Sequence, residues 1–347
     1  MRPPARTRRR DGPLPELRCR VGTVELPNPV MTAAGTAGLG TELGAHLELS
    51  ALGAVVVKSL SSAPWAGNPG PRLAPVAGGM LNSVGLQNPG VDAWLGDGLP
   101  ALAAAGARVV VSVWGARAED YREVTAAVAA ARRAALPTAG PPAPADPATG
   151  PRGGDSAARA LVAVEANISC PNLEDRSRMF AHSPAAAAAA VGAAVEGLGD
   201  SGLPVWAKLS PNVTDLVAVA RAVVDAGAGG LTLVNTLMGL ALDPATGRAR
   251  LGGFGGGLSG PALHPVAVRA VYDCRAALPE VAIVGVGGVG SGLDAAELIA
   301  AGADAVQVGT ASFADPRAPA RVLAELRAWC RTNGVERVDQ LRGRCHA

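Results

Sequence analysis

The sequence predicts a (β/α)₈ TIM barrel with inserted loops at the C-terminal face of its strands, and three observations point there. From residue 20 onward, eight short apolar runs recur, at 30–34, 54–59, 109–114, 161–167, 205–209, 230–235, 281–286 and 305–309. Each is nearly continuous in apolar residues and does not alternate, as expected of strands buried on both faces. Helix-like stretches separate most of the runs, and lysine, asparagine and glycine gather at their C-terminal ends. A doubly wound open sheet shares the first two features, and periodicity alone does not separate the two folds.

Taken in order, "VMTAA" leads into the glycine-rich "GTAGLG", and "AVVVKS" closes the second β/α unit's strand. The stretch "GGMLNSVGLQNPGVD" that follows reads as an inserted loop before the third strand, "VVVSVW". Helical patterns cover 118–135, 184–198, 213–226, 261–278, 292–301 and 318–331. Pro184, after "HS", suits the first turn of its helix. The patterns opening at Asp215 and Asp294 run out into "AGAGG" and "AGADA", glycine-bearing exits into the next strand. Residues 1–19, with five arginines in the first ten, read as a disordered basic leader. The barrel is expected over 20–335 and a tail over 336–347. The Pro/Ala/Gly-rich segment 136–157 cannot pack and reads as a disordered surface insertion.

Composition excludes several classes of function. With 49% hydrophobic and 17% charged residues, a sizeable core is available. Aromatics at 3% and a net charge of +2 argue against a nucleic-acid binder. No apolar stretch approaches the roughly 20 residues that span a bilayer, and the basic leader lacks the apolar segment of a secretory signal. The five cysteines, Cys19, Cys170, Cys274, Cys330 and Cys345, show no CxxC spacing, so neither a metal site nor an iron–sulfur cluster is expected within the chain. A reducing cytoplasm is the simplest compartment.

The polar residues at the strand ends suggest chemistry. Of 31 Lys+Arg, only Lys58 and Lys208 are lysines, and both stand at strand C-termini, where barrel enzymes build their sites. A buried unpaired ammonium is costly, which argues against coincidence. Ser59, Ser112, Asn167, Asn235 and Thr236 occupy or adjoin other strand ends. "VGVGGVGSGLDAAE" follows the seventh strand and "VGTASF" the eighth, the usual phosphate position in barrels. Gly285–Gly290 also fits G-x-G-x-x-G, but no acidic residue about 20 positions on suits ribose recognition. Cys170, in "NISCPN", lies past a strand end in a polar loop, where a thiolate can serve as nucleophile or base. No histidine stands at a matching position, so a Cys–His hydrolase pair is poorly supported.

The motifs "NPVMTAAGTAGLG", "GAVVVKSLS", "GNPGPRLAPVAGGMLNSVGLQNPGVD", "NISCPN", "AKLSPNVTD", "GLTLVNTLMGL", "GGLSGPALHPVAVRAVY" and "VGVGGVGSGLDAAELIAAGADAVQVGTASF" together resemble the class 1 dihydroorotate dehydrogenases, most closely the subclass 1B catalytic subunits. The resemblance runs over about 26–326 apart from the Pro-rich insertion. It implies FMN-dependent oxidation of (S)-dihydroorotate to orotate in pyrimidine (UMP) biosynthesis. Cys170 would be the base at C5, with hydride leaving C6 for flavin N5. Lys58 would stand between flavin and substrate carboxylate, and Lys208 beside the pyrimidine end of the flavin. The substrate cradle would comprise Lys58, Asn82, Ser83, Val84, Gly85, Leu86, Asn167, Asn172, Asn235 and Thr236. FMN contacts would come from Ala34, Lys58, Ser59, Ser112, Asn167, Lys208, Val234, Gly260, Gly287, Gly288, Gly309 and Thr310. Residues 171–183 would form a mobile cover.

Three departures stand out. Ala34 replaces a common Ser, Ser112 stands where 1B relatives usually have Asn and 1A enzymes Ser, and no glycine follows Phe180. Subclass 1B implies a catalytic homodimer joined to a second subunit with FAD and a [2Fe–2S] cluster, a heterotetramer passing electrons to NAD⁺. Subclass 1A implies a homodimer using fumarate. The other readings are a related dihydropyrimidine-converting flavoenzyme and a phosphate-ligand-binding barrel without turnover.

Overall fold

The computed structural model describes residues 13–134, 153–169, 180–253 and 255–346. Eight strands form its central sheet: β1 (Val30–Thr32), β2 (Val55–Val56), β3 (Val109–Val113), β4 (Leu161–Asn167), β5 (Val205–Lys208), β6 (Gly230–Leu233), β7 (Ile283–Val286) and β8 (Ala305–Val308). They pair in the order β1-β8-β7-β6-β5-β4-β3-β2, parallel throughout. A parallel bridge between Met31 and Ala54, with Gly53 N–H donating to Val30 O at 2.8 Å, joins β1 to the start of β2. Sequential order plus this closing bridge makes a barrel and leaves no switch point, so the open-sheet alternative falls.

Alternation along each strand sorts the side chains. Val30, Val55, Val109, Val111, Val164, Val205, Leu231, Ile283 and Val306 belong to the main core, against the helices. Met31, Val56, Val110, Ala163, Trp206, Val284 and Ala305 form a separate interior cluster. That cluster is plugged by Val21, Val24 and Leu26 from the antiparallel hairpin Cys19–Val21/Val24–Leu26. Above this apolar floor lies a polar layer: Ser112, Glu165, Lys208, Thr232 and Gln307, all buried.

Nine helices are present among the described residues: α1 (Val91–Ala104), α2 (Ala118–Ala134), α3 (Gly153–Ala160), α4 (Pro184–Leu198), α5 (Leu216–Asp225), α6 (His264–Ala277), α7 (Gly292–Ala301), α8 (Ala311–Ala314) and α9 (Ala318–Thr332). The six expected helical stretches are found as α2, α4, α5, α6, α7 and α9. The stretch beginning at 261 opens with a 3₁₀ turn, Pro261–Leu263. Helix α3 is a correction: it opens at Gly153, inside the segment 136–157 expected to be disordered, and burial of Ala157, Ala158 and Ala160 holds it on the body. Helix α1 is also absent from the expected helices. Gly96, Gly98 and Pro100 interrupt its pattern, yet Trp94, Leu99 and Leu102 bury one face. At Gly98 a Cβ would lie 2.5 Å from the Trp94 ring, so glycine is what lets the indole fold back over its own helix.

Two further corrections concern the connections. The expected loop around 80–86 is half strand. Gly79–Asn82 joins Leu73–Val76, Gly256–Ser259 and Leu237–Gly239 in a four-stranded antiparallel sheet over the mouth of the barrel. The chain also packs onto the body earlier than residue 20. Leu17 is buried, Glu16 N–H donates to Glu336 O at 2.8 Å, and Val338 N–H donates to Glu16 O at 3.0 Å. Most of the expected leader and insertion, residues 1–12 and 135–152, lies outside the described residues.

Candidate active site

The C-terminal ends of the strands surround a cavity of about 990 Å³, open mouth included. Seventeen of the expected site residues line it: Ala34, Lys58, Ser59, Asn82, Val84, Gly85, Leu86, Asn167, Lys208, Val234, Asn235, Thr236, Gly260, Gly287, Gly288, Gly309 and Thr310. Both lysines of the chain are among them. Cys170 and Asn172 lie outside the described residues, as does the expected cover up to residue 179. Two expected residues stand off the wall. Ser83 is buried beside Asn68, whose Nδ2 donates to Ser83 Oγ at 3.3 Å. Ser112 is buried behind Ser59, with the two Oγ atoms 2.8 Å apart.

A chain of hydrogen bonds fixes the polar end. Asn167 Nδ2 donates to Ser59 Oγ at 3.0 Å, and the Asn167 carbonyl accepts from Tyr121 Oη at 2.8 Å. Asn235 Nδ2 donates to Ser169 Oγ at 3.0 Å, while Asn235 Oδ1 accepts from Thr236 N–H at 2.9 Å. Ser169 in turn donates to Asn167 Oδ1 at 3.2 Å. Such bonds hold carboxamides in one orientation, so that their remaining donor and acceptor capacity faces the cavity. Ser169, which the sequence reading passed over, therefore links two of the expected substrate residues.

The wall segment 83–88 is held by another residue absent from the expectations. Leu86 sits at φ +63°, an uncommon conformation for a branched residue, which costs about 1–3 kcal/mol unless its surroundings enforce it. Asn88 does so. Its Nδ2 donates to Leu86 O at 2.9 Å and Ser61 Oγ at 2.8 Å, and its Oδ1 accepts from Gly90 N–H at 2.9 Å. Likewise, Asn212 Nδ2 donates to Thr236 O at 2.9 Å and its Oδ1 accepts from Met238 N–H at 2.8 Å. The one signal for both was their place in the quoted motifs, next to proline.

Charge at the cavity floor is paired. Lys208 Nζ donates to Glu165 Oε1 at 3.3 Å, and Gln307 Nε2 donates to Glu165 Oε2 at 2.8 Å. At the other end, glycine backbone forms the wall. A Cβ on Gly288, at φ +68°, would lie 2.6 Å from His264 Cβ, and one on Gly260, at φ +101°, 2.8 Å from Gly79 Cα. His264 Nδ1 meets Gly287 O at 2.9 Å and its Nε2 meets Glu297 Oε2 at 3.1 Å, tying the cradle to α7. Glycines after β7 and β8 suit a phosphate, and the lysine–carboxamide end suits an anionic, hydrogen-bonding ring.

The described thiols are elsewhere. Burial pushes the Cys19 thiol up to about 12, with Asp304 adding to the rise. It pushes Cys274 up to about 12 and Cys330 up to about 11. No helix among the described residues is long and apolar enough to cross a membrane, and no described group of His, Cys, Asp and Glu could hold a metal ion.

The chain matches the family profile described as dihydroorotate dehydrogenase over residues 16–136 and 156–329. It is 41% identical over 329 residues to the dihydroorotate dehydrogenase B (NAD(+)), catalytic subunit, of Geotalea daltonii, covering 95% of this chain and 98% of that one. The protein of the same name from Geobacter sulfurreducens is 40% identical over the same shares. That from Alkaliphilus metalliredigens is 40% identical over 327 residues, 94% of this chain and 98% of its own. Barrel, cavity and sequence agree, and the chain belongs to the dihydroorotate dehydrogenase family.

Proposed function

We propose that this chain is the catalytic subunit of an NAD⁺-linked dihydroorotate dehydrogenase, oxidising (S)-dihydroorotate to orotate in UMP biosynthesis. The observation that carries this reading is the convergence of Lys58, Lys208, Asn167 and Asn235 at one end of a cavity whose other end is a glycine cradle.

The cavity fits FMN. Gly260, Gly287, Gly288, Gly309 and Thr310 would hold its phosphate, in a wall where added Cβ atoms at Gly260 and Gly288 would collide with the protein. Ala34, Ser59, Asn167, Lys208 and Val234 would border its ring system, with Ser112 supporting Ser59 from behind. When bound, FMN supplies the acceptor for the hydride that leaves C6 of the substrate.

The chain's own groups do the rest. Lys58 pairs with the substrate carboxylate, and Asn82, Asn167, Asn172, Asn235 and Thr236 read the donors and acceptors of the ring. Val84, Gly85 and Leu86 close one side, in the segment that Asn88 braces; Ser83 acts through that segment's backbone. Cys170 takes the C5 proton as thiolate. An unperturbed thiol, with a pKa of about 8.5, is partly ionised at neutral pH, so part of the thiol population is already in the form that accepts a proton. The segment 171–183 covers the substrate and excludes water.

The words "NAD(+)" and "catalytic subunit" in the relatives' names support a partner that passes electrons to NAD⁺. That partner would carry FAD and a [2Fe–2S] cluster, in a heterotetramer built on a catalytic homodimer, as the resemblance to subclass 1B implies. Ser112 favours a second reading, in which fumarate is the acceptor. The test is an anaerobic absorbance spectrum of the FMN-loaded chain before and after adding dihydroorotate. Bleaching of the yellow band is expected. A yellow protein that dihydroorotate leaves unbleached would sink the substrate, and a chain that takes up no FMN would sink the whole reading.

A further inference from the structure

The polar layer inside the barrel contains a carboxylate for which the reaction above has no use. Glu165, on β4, is fully buried, between Lys208 on β5 at 3.3 Å and Gln307 on β8 at 2.8 Å. The Lys208 side chain is 6% exposed and still borders the cavity. Taking both charges out of water is costly, and well-packed apolar residues of similar volume often serve stability as well or better. The layer is not tuned for stability in other respects either. Thr232 Oγ1 and Gln307 Oε1 are buried without a protein partner among the described residues.

We infer that Glu165 is a positioning residue that sets the charge of the cavity floor. Its carboxylate aims the Lys208 ammonium at the ligand and cancels much of the ammonium's field until negative charge arrives there. Gln307, a neutral donor, holds the carboxylate's far oxygen and keeps it turned towards Lys208. This rests on the flavin reading, in which Lys208 lies beside the part of FMN that becomes negative on reduction. Removing the carboxylate should therefore favour the reduced ligand over the oxidised one.

The test uses the FMN-loaded chain as wild type, Glu165→Gln, Glu165→Asp and Lys208→Met. It reads the midpoint potential of the bound flavin as the ratio of affinities for reduced and oxidised FMN. Glu165→Gln should raise that ratio about tenfold or more. Lys208→Met should lower it, and Glu165→Asp, which keeps the charge in the layer, should stay within about threefold of wild type. A Glu165→Gln ratio equal to wild type, beside a lowered one for Lys208→Met, overturns the inference alone. Equal ratios in all four proteins overturn the placing of Lys208 beside the flavin as well. If Glu165→Gln does not fold, the unaltered chain still decides. It has two lysines, so ¹⁵N-lysine labelling gives two side-chain signals. One, lost in Lys208→Met, should be an ammonium whose protons exchange slowly with water. Two ammonium signals that both exchange freely would show that Lys208 is not held, and the inference fails.

Discussion

At Gly288 a single hydrogen atom decides whether the glycine-walled end of the cavity can exist. The residue sits at φ +68°, and an added Cβ would lie 2.6 Å from His264 Cβ and 2.9 Å from His264 N. Gly288→Ala therefore combines backbone strain with a steric overlap that backbone movement must relieve, and it should weaken FMN binding by about tenfold or more. Equilibrium titration by flavin fluorescence measures this. Gly334→Ala is the control, because Gly334 has a similar φ of +69° with nothing within 4 Å of an added Cβ. It carries only the backbone strain and should bind FMN as wild type does; equal losses in both variants would contradict the cradle. At this scale the sequence is informative where a residue type is rare or conformationally special. Lys58 and Lys208 stand out in a chain that otherwise uses arginine. Glu165 and Gln307 do not, because they sit inside apolar runs and pair over 43 and 142 positions of sequence. Nothing local announces a partner that far away.

Helices α6 and α9 show what an apolar face hides. Cys274 and Cys330 are fully buried on these helices, and desolvation is the first cause of both raised thiol values. A thiol near 9.0 in the unfolded chain and about 12 in the folded one ionises first on unfolding, so its contribution to stability is complete below 9.0 and is lost as pH rises towards 12. Cys274→Ala lacks this liability. Thermal unfolding should show it less stable than wild type at neutral pH, where it leaves a small cavity, with the gap shrinking as pH rises above 9.0. A gap independent of pH would mean that the thiol is not desolvated. Elements were legible in proportion to their regularity. The six predicted helices have continuous apolar stripes, whereas α1 is broken by Gly96, Gly98 and Pro100 and is stabilised by burial of Trp94. Gly79–Asn82 reads as a loop because its strand partners, Leu73–Val76 and Gly256–Ser259, include one from the far side of the chain.

At the scale of the whole molecule, the closed ring of strands leaves the C-terminal mouth as the ligand's place, and the remaining question is where NAD⁺ could bind. The motif Gly285–Gly290 is the one sequence feature suggestive of a dinucleotide site. Here it does other work. A Cβ on Gly285 would lie 3.2 Å from Leu298 and Ala303, so that glycine serves helix–strand packing, while Gly287 and Gly288 face the cavity. The N-terminus of α7 is filled by its own carboxylate. Asp294 Oδ2 accepts from Gly290 N–H at 3.0 Å and Ser291 N–H at 2.8 Å, in a capping box with Ser291. A pyrophosphate there would have to displace that carboxylate and would meet its charge. The chain alone should therefore accept electrons from dihydroorotate yet fail to reduce NAD⁺, and NADH formation at 340 nm should appear only when a purified electron-transfer subunit is added. NADH production by the isolated chain at the rate of the assembled enzyme would defeat this argument. Turnover of the isolated chain with fumarate, and none with NAD⁺ even beside the partner, would instead establish the reading that Ser112 favours.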